Sequence, residues 1–224
     1  MKTNNDPIWL FDISKPKALL VVAHADDETI FAGGLILCSR ETKWTIVCCN
    51  PQGKQRENEF LLACQSLAKE SDNQINPLLL TPILNHNGAL NTNWLTKELK
   101  SYATGYDFVL THNREGEYGS ENHRRVHRSV TSSIKNSNTW LFISPGSENF
   151  NQKVFESKVP NGNFTLYLAP EVQKLKTRIF QECHLSQAKL YGYDPITKFL
   201  RNSDLRETLQ WEFESGKEHY TYHI

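Results

Sequence analysis

No sign of charge dominates this sequence. Its 224 residues carry 25 lysines and arginines against 25 aspartates and glutamates, so no basic field exists to hold nucleic acid or an anionic membrane. Long apolar runs are missing too. The longest is about six residues, at 18–23, where a membrane helix needs about 20, so no membrane span is expected. The first twelve residues include Asn4, Asn5 and Asp6 and lack the apolar core of a signal peptide. Cysteine is sparse: Cys38, Cys48, Cys49, Cys64 and Cys183 form no Cys-x-x-Cys pair, and an odd number fits a disulfide framework poorly. Three of them lie in apolar stretches, where a reduced thiol acts as a small hydrophobe. That favours a cytoplasmic location. No internal repeat, low-complexity segment or linker interrupts the chain, so one domain over 1–224 is expected, with its core at 18–190.

What is present is an alternation of buried strands and helices. Residues 18–23, Ala-Leu-Leu-Val-Val-Ala, read as a strand buried on both faces. The segment 29–38, with an acidic front, suits a helix. A second strand is expected at 44–49, then a helix at 56–69 with Phe60, Leu61, Cys64, Leu67 and Ala68 at helical spacing. A weaker strand, interrupted by Pro82, falls at 78–84. Further strands are expected at 107–112, 140–144 and 164–168, and helices at 94–102, 121–134 and within 170–191. Residues 201–224 support no assignment. The pattern predicts a Rossmann-like three-layer α/β/α sandwich with a mostly parallel sheet.

In open parallel sheets ligands bind beyond the carboxyl ends of the strands. Two polar clusters fall there: His24-Ala-Asp-Asp-Glu28 after the first strand, and residues 111–127 after the strand ending at His112. The Gly-rich phosphate turn of a dinucleotide site is absent. One imidazole and three carboxylates at a strand end point instead to metal ligation, and this ligand chemistry suits zinc. Helix capping explains one acidic residue of the three, and Glu28 stays open to that reading.

The segment from Ala23 to Glu28, Ala-His-Ala-Asp-Asp-Glu, resembles the Ala-His-Pro-Asp-Asp-Glu signature of the LmbE/PIG-L family of zinc-dependent N-deacetylases. Residues 116–127, Gly-Glu-Tyr-Gly-Ser-Glu-Asn-His-Arg-Arg-Val-His, are similar to the family's later histidine motif. Arg56-x-x-Glu59 and, more weakly, Leu185-Ser-Gln187 match in order. The resemblance implies one zinc ion per chain held by His24, Asp27 and His123, with Asp26 as general base. It implies removal of an N-acetyl group from an N-acetylglucosamine-type amino sugar or its conjugate, a small-molecule substrate. A zinc amidase on another N-acyl natural product is the alternative, as is a carbohydrate-binding homologue with weakened catalysis. A homo-oligomer is compatible with each.

Two departures from the family pattern stand out. Ala25 replaces proline, and Ser120-Glu-Asn-His123 stands where the family has His-Pro-Asp-His. The usual oxyanion histidine is therefore replaced by Ser120. His127, His112, Tyr118 and Arg124 are the candidate substitutes. His127, one helical turn past His123, is also open to metal ligation. Arg56 is either a substrate contact or half of a surface ion pair with Glu59. Gly33-Gly34 within a helix implies close packing on the sheet. His86, His184, His219 and His223 are expected at the surface. Trp9, Trp44, Trp94, Trp140 and Trp211 are expected in the core before any sugar platform.

Overall fold

The apolar run after Lys17 becomes the strand on which the fold is built. The computed structural model describes residues 15–102, 104–135, 138–143, 163–190, 209 and 211–222. Strand β1 (Lys17–Val22) pairs in parallel with β2 (Lys43–Cys48) on one side and β4 (Phe108–Thr111) on the other. β3 (Gln74–Leu79) lies outside β2, and β5 (Thr139–Ile143) outside β4, both again parallel. Two antiparallel strands complete the sheet, β6 (Asn163–Tyr167) and β7 (Lys217–Tyr222), in the order β3-β2-β1-β4-β5-β7-β6.

Because β1 has helices on both faces, every second residue serves a different core. Ala18, Leu20 and Val22 join one cluster with side chains of α1 (Asp27–Cys38), α2 (Lys54–Ser71) and α5 (Pro170–Cys183). Leu19, Val21 and Ala23 join the other, with α3 (Thr92–Leu99) and α4 (Glu121–Ser133). The result is the expected α/β/α layering. This two-sided burial is why the strand is uniformly apolar rather than alternating.

The third strand starts four residues earlier than expected, at Gln74, and contains Pro77. β3 is an edge strand with β2 as its neighbour, where a residue without an N–H is tolerated. Leu84 makes only an isolated bridge to Leu90. The expected helix within 170–191 divides at His184 into α5 and the short α6 (Leu185–Leu190). The larger surprise is β7, which draws part of the unassigned tail into the sheet between β5 and β6. Its sequence, Lys-Glu-His-Tyr-Thr-Tyr, shows no apolar alternation. The inward residues are Glu218 and Tyr220, and their polar atoms are satisfied by distant segments.

Glu218, 1% exposed, accepts from the backbone N–H groups of Gly34 and Leu35 at 2.7 and 2.8 Å. Lys176 Nζ, fully buried on α5, donates to it at 2.7 Å. The Tyr220 hydroxyl bridges its carboxylate and the Phe31 carbonyl. Gly33 and Gly34 are therefore small for neighbours brought by α5, β7 and the residue after β6. A Cβ at Gly34 would lie 2.6 Å from both Leu168 methyls and 2.8 Å from the Glu218 carboxyl carbon. Leu168 can rotate away, but Glu218 is tethered on several sides. Gly34→Ala is expected to lower stability by about 1–3 kcal/mol, measured by urea unfolding, despite alanine's better helix propensity.

His184 and His219, expected at the surface, are buried instead. His184 pairs with Glu28, and His219 stacks on Trp211 while its Nδ1 meets the Thr165 hydroxyl at 2.7 Å. Burial, aided by Lys217, pushes the His219 pKa down to about 4. His86 is exposed, as expected, and Trp44 is a core residue; Trp94, Trp140 and Trp211 are half-buried. Trp9 and His223 lie outside the described residues. All five cysteines are free thiols. Among the described residues no helix is long and apolar enough to cross a membrane.

Candidate active site

The chain leaves β1 toward β2 on one side and returns to β4 on the other, so the sheet's switch point lies between β1 and β4. Open α/β sheets part there and present the residues that follow their strands. His24 follows β1, and Asp26, Asp27 and Glu28 open α1. His112 follows β4, and the turn after it delivers Glu117 and Tyr118. His123 lies in the first turn of α4.

The structure brings His24, Asp27 and His123 together, with one ligand atom of each within 4.8 Å of the others. Asp27 Oδ2 is 3.5 Å from His24 Nδ1, and Oδ1 is 3.5 Å from His123 Nε2. The His24 N–H donates to Asp27 Oδ2 at 2.8 Å, which fixes that carboxylate. His112 lies directly behind, stacked on His123 with ring centroids 3.9 Å apart. Its Nε2 accepts the Ala23 N–H at 3.0 Å and lies 3.4 Å from Asp27 Oδ2.

Burial alone would raise the pKa of Asp27, but His123, His112 and His24 hold it well below the usual carboxylate range. Glu117 behaves likewise: burial opposes ionisation, and His112 and His123 draw its pKa down to about 2. For His112, burial favours the neutral ring, while Glu117 and Asp27 raise its pKa to about 9. The Ala23 N–H pulls the other way, because it needs a lone pair on Nε2. A cation neutralising Asp27 would tip His112 toward the neutral form.

Adjacent carboxylates point apart. Asp27 faces the histidines, whereas Asp26 Oδ1 meets Arg56 Nη2 at 2.8 Å. Burial raises the Asp26 pKa and Arg56 opposes it. Arg56 also bonds the Ala25 carbonyl at 3.1 Å and the Gln52 side chain. The surface Arg56–Glu59 pair is thus replaced: Glu59 is buried and accepts from the Ser186 N–H and hydroxyl at 3.0 and 2.6 Å. The two weak sequence motifs meet at that contact. Glu28 does not cap α1. It is fully buried, bonded to His184 Nε2 at 2.8 Å and to the Thr29 hydroxyl at 2.7 Å.

The second cluster divides between scaffold and site. Ser120 is the N-cap of α4, its Oγ accepting from the His123 N–H at 3.5 Å. Asn122 accepts from the Leu90 N–H at 3.0 Å, and its Nδ2 lies 3.1 Å from His24 Nε2. His127 Nδ1 donates to the His112 carbonyl at 2.9 Å, and the ring is not in the three-residue ligand group. Arg124 Nε donates to the Glu115 carbonyl at 2.9 Å. Of the candidate oxyanion donors, His112 stacks on His123 and Tyr118 brings its hydroxyl to 3.4 Å from His123 Nε2. Sequence reasoning missed Glu117 and the contacts of Asn122. The Gly-Glu-Tyr-Gly turn signal was visible, but not where its carboxylate would point.

A profile of the family described as PIG-L: GlcNAc-PI de-N-acetylase matches residues 19–134, just over half of the chain, and the chain belongs to that family. An uncharacterized protein of Acanthamoeba polyphaga mimivirus is 27% identical over 127 residues, which are 50% of this chain and 55% of that protein. The match spans about half the length of this curated relative. The antimicrobial pseudoaglycone deacetylase Dbv21 has a similar structure, with a TM-score of 0.58 at 14% identity, covering 94% of this chain and 97% of that one. The zinc-inhibited form of teicoplanin deacetylase Orf2 gives 0.59 at 12%, covering 92% and 98%. The 4-carboxy-2-hydroxymuconate hydratase GalB of Pseudomonas putida gives 0.50 at 13%, covering 93% and 96%. At these identities the likeness is one of fold, and a hydratase among the similar folds shows that the reaction must be argued from the site.

Proposed function

We propose that the chain is a zinc-dependent hydrolase that removes an N-acetyl group from an N-acetylglucosamine-type amino sugar or its conjugate. The observation that carries this reading is the convergence of His24, Asp27 and His123 at the switch point of the sheet. Two imidazoles and one carboxylate fit the three-ligand pattern of a catalytic zinc. One zinc per chain held there would supply Lewis acidity, making water acidic near neutral pH and polarising an amide carbonyl.

The chain's own residues do the rest. Asp26 accepts a proton from the attacking water as the new C–O bond forms. It returns that proton to the amine nitrogen as the C–N bond breaks, giving acetate and the free amine. Arg56 keeps Asp26 ionised before attack, against the burial that favours its protonated form. The Tyr118 hydroxyl, beside His123, donates to the oxygen that gains charge in the tetrahedral intermediate. That assigns Tyr118 the role that the family's histidine would play at Ser120.

Purified protein should contain about one zinc per chain, as fits a site of this kind, and His24→Ala should lose it. Acetate release should be assayed with N-acetylglucosamine conjugates. Tyr118→Phe is expected to lower kcat by about 10²–10³-fold, the scale of one oxyanion donor, with zinc content unchanged. Zinc without acetate release from any conjugate would overturn the deacetylase reading. Protein that binds no zinc would overturn the metal centre itself.

A further inference from the structure

Glu117 is bonded to two histidines of the site, and the proposed chemistry gives it no part. It is fully buried. Its Oε2 meets two imidazoles at once, His112 Nδ1 at 2.9 Å and His123 Nδ1. Its Oε1 accepts the Asn113 N–H at 2.9 Å. We infer that Glu117 is a positioning residue that orients two of the three metal ligands, His123 directly and His24 through His112; this rests on the metal site proposed above.

The proton positions follow from the partners. An ionised carboxylate only accepts, so both rings present N–H at Nδ1, and in the neutral ring the lone pair then lies at Nε2. An independent contact agrees: the Ala23 N–H points at His112 Nε2 and requires a lone pair there. On His123 the corresponding lone pair faces Asp27 and the ligand group. Ligation through Nε2 needs that tautomer, and a carboxylate on the other nitrogen fixes ring and tautomer together. The His112 arm ends on the N–H of the peptide that joins Val22 to Ala23, so it holds the strand end one residue before His24. One carboxylate thereby sets both walls of the site, α4 and the end of β1.

The turn is built to hold Glu117 in place. Its φ is +54°, in the left-handed region that a glutamate seldom occupies. Asn113 Oδ1 accepts the N–H groups of Gly116 and Glu117 at 2.7 and 3.2 Å. Gly116 has φ +75°, and a Cβ there would lie 2.4 Å from the Ser120 carbonyl oxygen. The turn therefore packs directly on the start of α4, where the Ser120 N–H donates to the Gly116 carbonyl at 3.0 Å, and this holds the carboxylate in its aim.

The test is zinc affinity, measured by chelator competition on wild type, Glu117→Gln and Glu117→Asp, with the cobalt(II) absorption spectrum as a readout of ligand geometry. Glu117→Gln keeps the shape but supplies one acceptor oxygen without charge. Glu117→Asp keeps the charge, accepts the left-handed backbone and falls one methylene short of two rings. Both are expected to bind zinc about 10–100-fold more weakly, the usual cost of losing such a partner, with an altered cobalt spectrum. His112→Phe, which removes the arm to Ala23 and the contact with Asp27 but keeps the Glu117–His123 contact, should give a smaller loss. Wild-type affinity and an unchanged spectrum in Glu117→Gln and Glu117→Asp would overturn the inference while leaving the metal site intact. Wild type that binds no zinc would overturn both. Should the variants be unfolded without metal, the zinc concentration that restores their circular dichroism is the readout, and a concentration equal to that of wild type would also overturn it.

Discussion

Asp26→Asn is expected to reduce kcat for acetate release by about 10²–10⁴-fold, the range for losing a positioned acid–base group, while the protein keeps its zinc. The separation of the two effects comes from the geometry. Asp27 carries the contacts to His24, His112 and His123, so the proposed metal site does not depend on its neighbour. Asp26 turns to Arg56, and an asparagine of the same shape can still accept from that guanidinium but cannot take a proton. Arg56 keeps the Ala25 carbonyl and Gln52 as further partners, so the fold should survive. The wild-type pH profile gives a second check. Burial raises the Asp26 pKa above the ordinary carboxylate value, and the base must be ionised to act. Activity should therefore fall on acidification through that raised pKa, and the residual activity of Asp26→Asn should lose this acidic limb. A variant with wild-type kcat would remove Asp26 from the mechanism.

Lys176→Met is expected to cost about 3–5 kcal/mol of stability, measured by urea unfolding at neutral pH, because it leaves a buried carboxylate without its cation. Lys176 and Glu218 are 0% and 1% exposed, so water cannot replace the ammonium group. Glu212, 3.5 Å from Lys176 Nζ, is the third member. Burial, with repulsion from Glu218 set against attraction to Lys176, raises its pKa to about 8. One lysine thus serves two buried glutamates, and the raised pKa of Glu212 favours its protonated form. Since the folded pKa lies above the reference value of 4.5, this group favours folding at low pH. That contribution is lost as pH rises through about 8. Wild type should accordingly lose stability relative to Glu212→Gln between about pH 5 and pH 8. Equal stability of wild type and Lys176→Met would mean that the cluster relaxes to admit water.

Much of the parallel core was legible because its signals are local. A strand buried on both faces has to be apolar throughout, and residues 18–23 are. A helix packed on a sheet shows its stripe, as Phe60, Cys64 and Leu67 do. The edge strand was displaced because a half-exposed strand need not be apolar and an edge tolerates Pro77. His184 and His219 were misread because nothing beside a histidine in sequence reveals a distant polar partner. Glu28 is 156 residues from His184 along the chain, and Thr165 is 54 from His219.

The absence of a charge field and of a long apolar run, and the spacing of the His24–Glu28 segment, are properties of the sequence alone. Together with the strand–helix alternation they determined the fold class, and the resemblance of two segments to the LmbE/PIG-L motifs named His24, Asp26, Asp27 and His123 as the group to watch. Tertiary structure decided everything that depends on where a side chain turns. It paired Arg56 with Asp26 instead of Glu59, made Ser120 a helix cap and set the Tyr118 hydroxyl beside His123. It also inserted Lys217–Tyr222 into the sheet. The physical reason is common to these cases. Apolar burial is non-directional and leaves its period in the sequence, whereas a buried polar group is defined by a partner in hydrogen-bond reach, and the fold brings those partners from far along the chain.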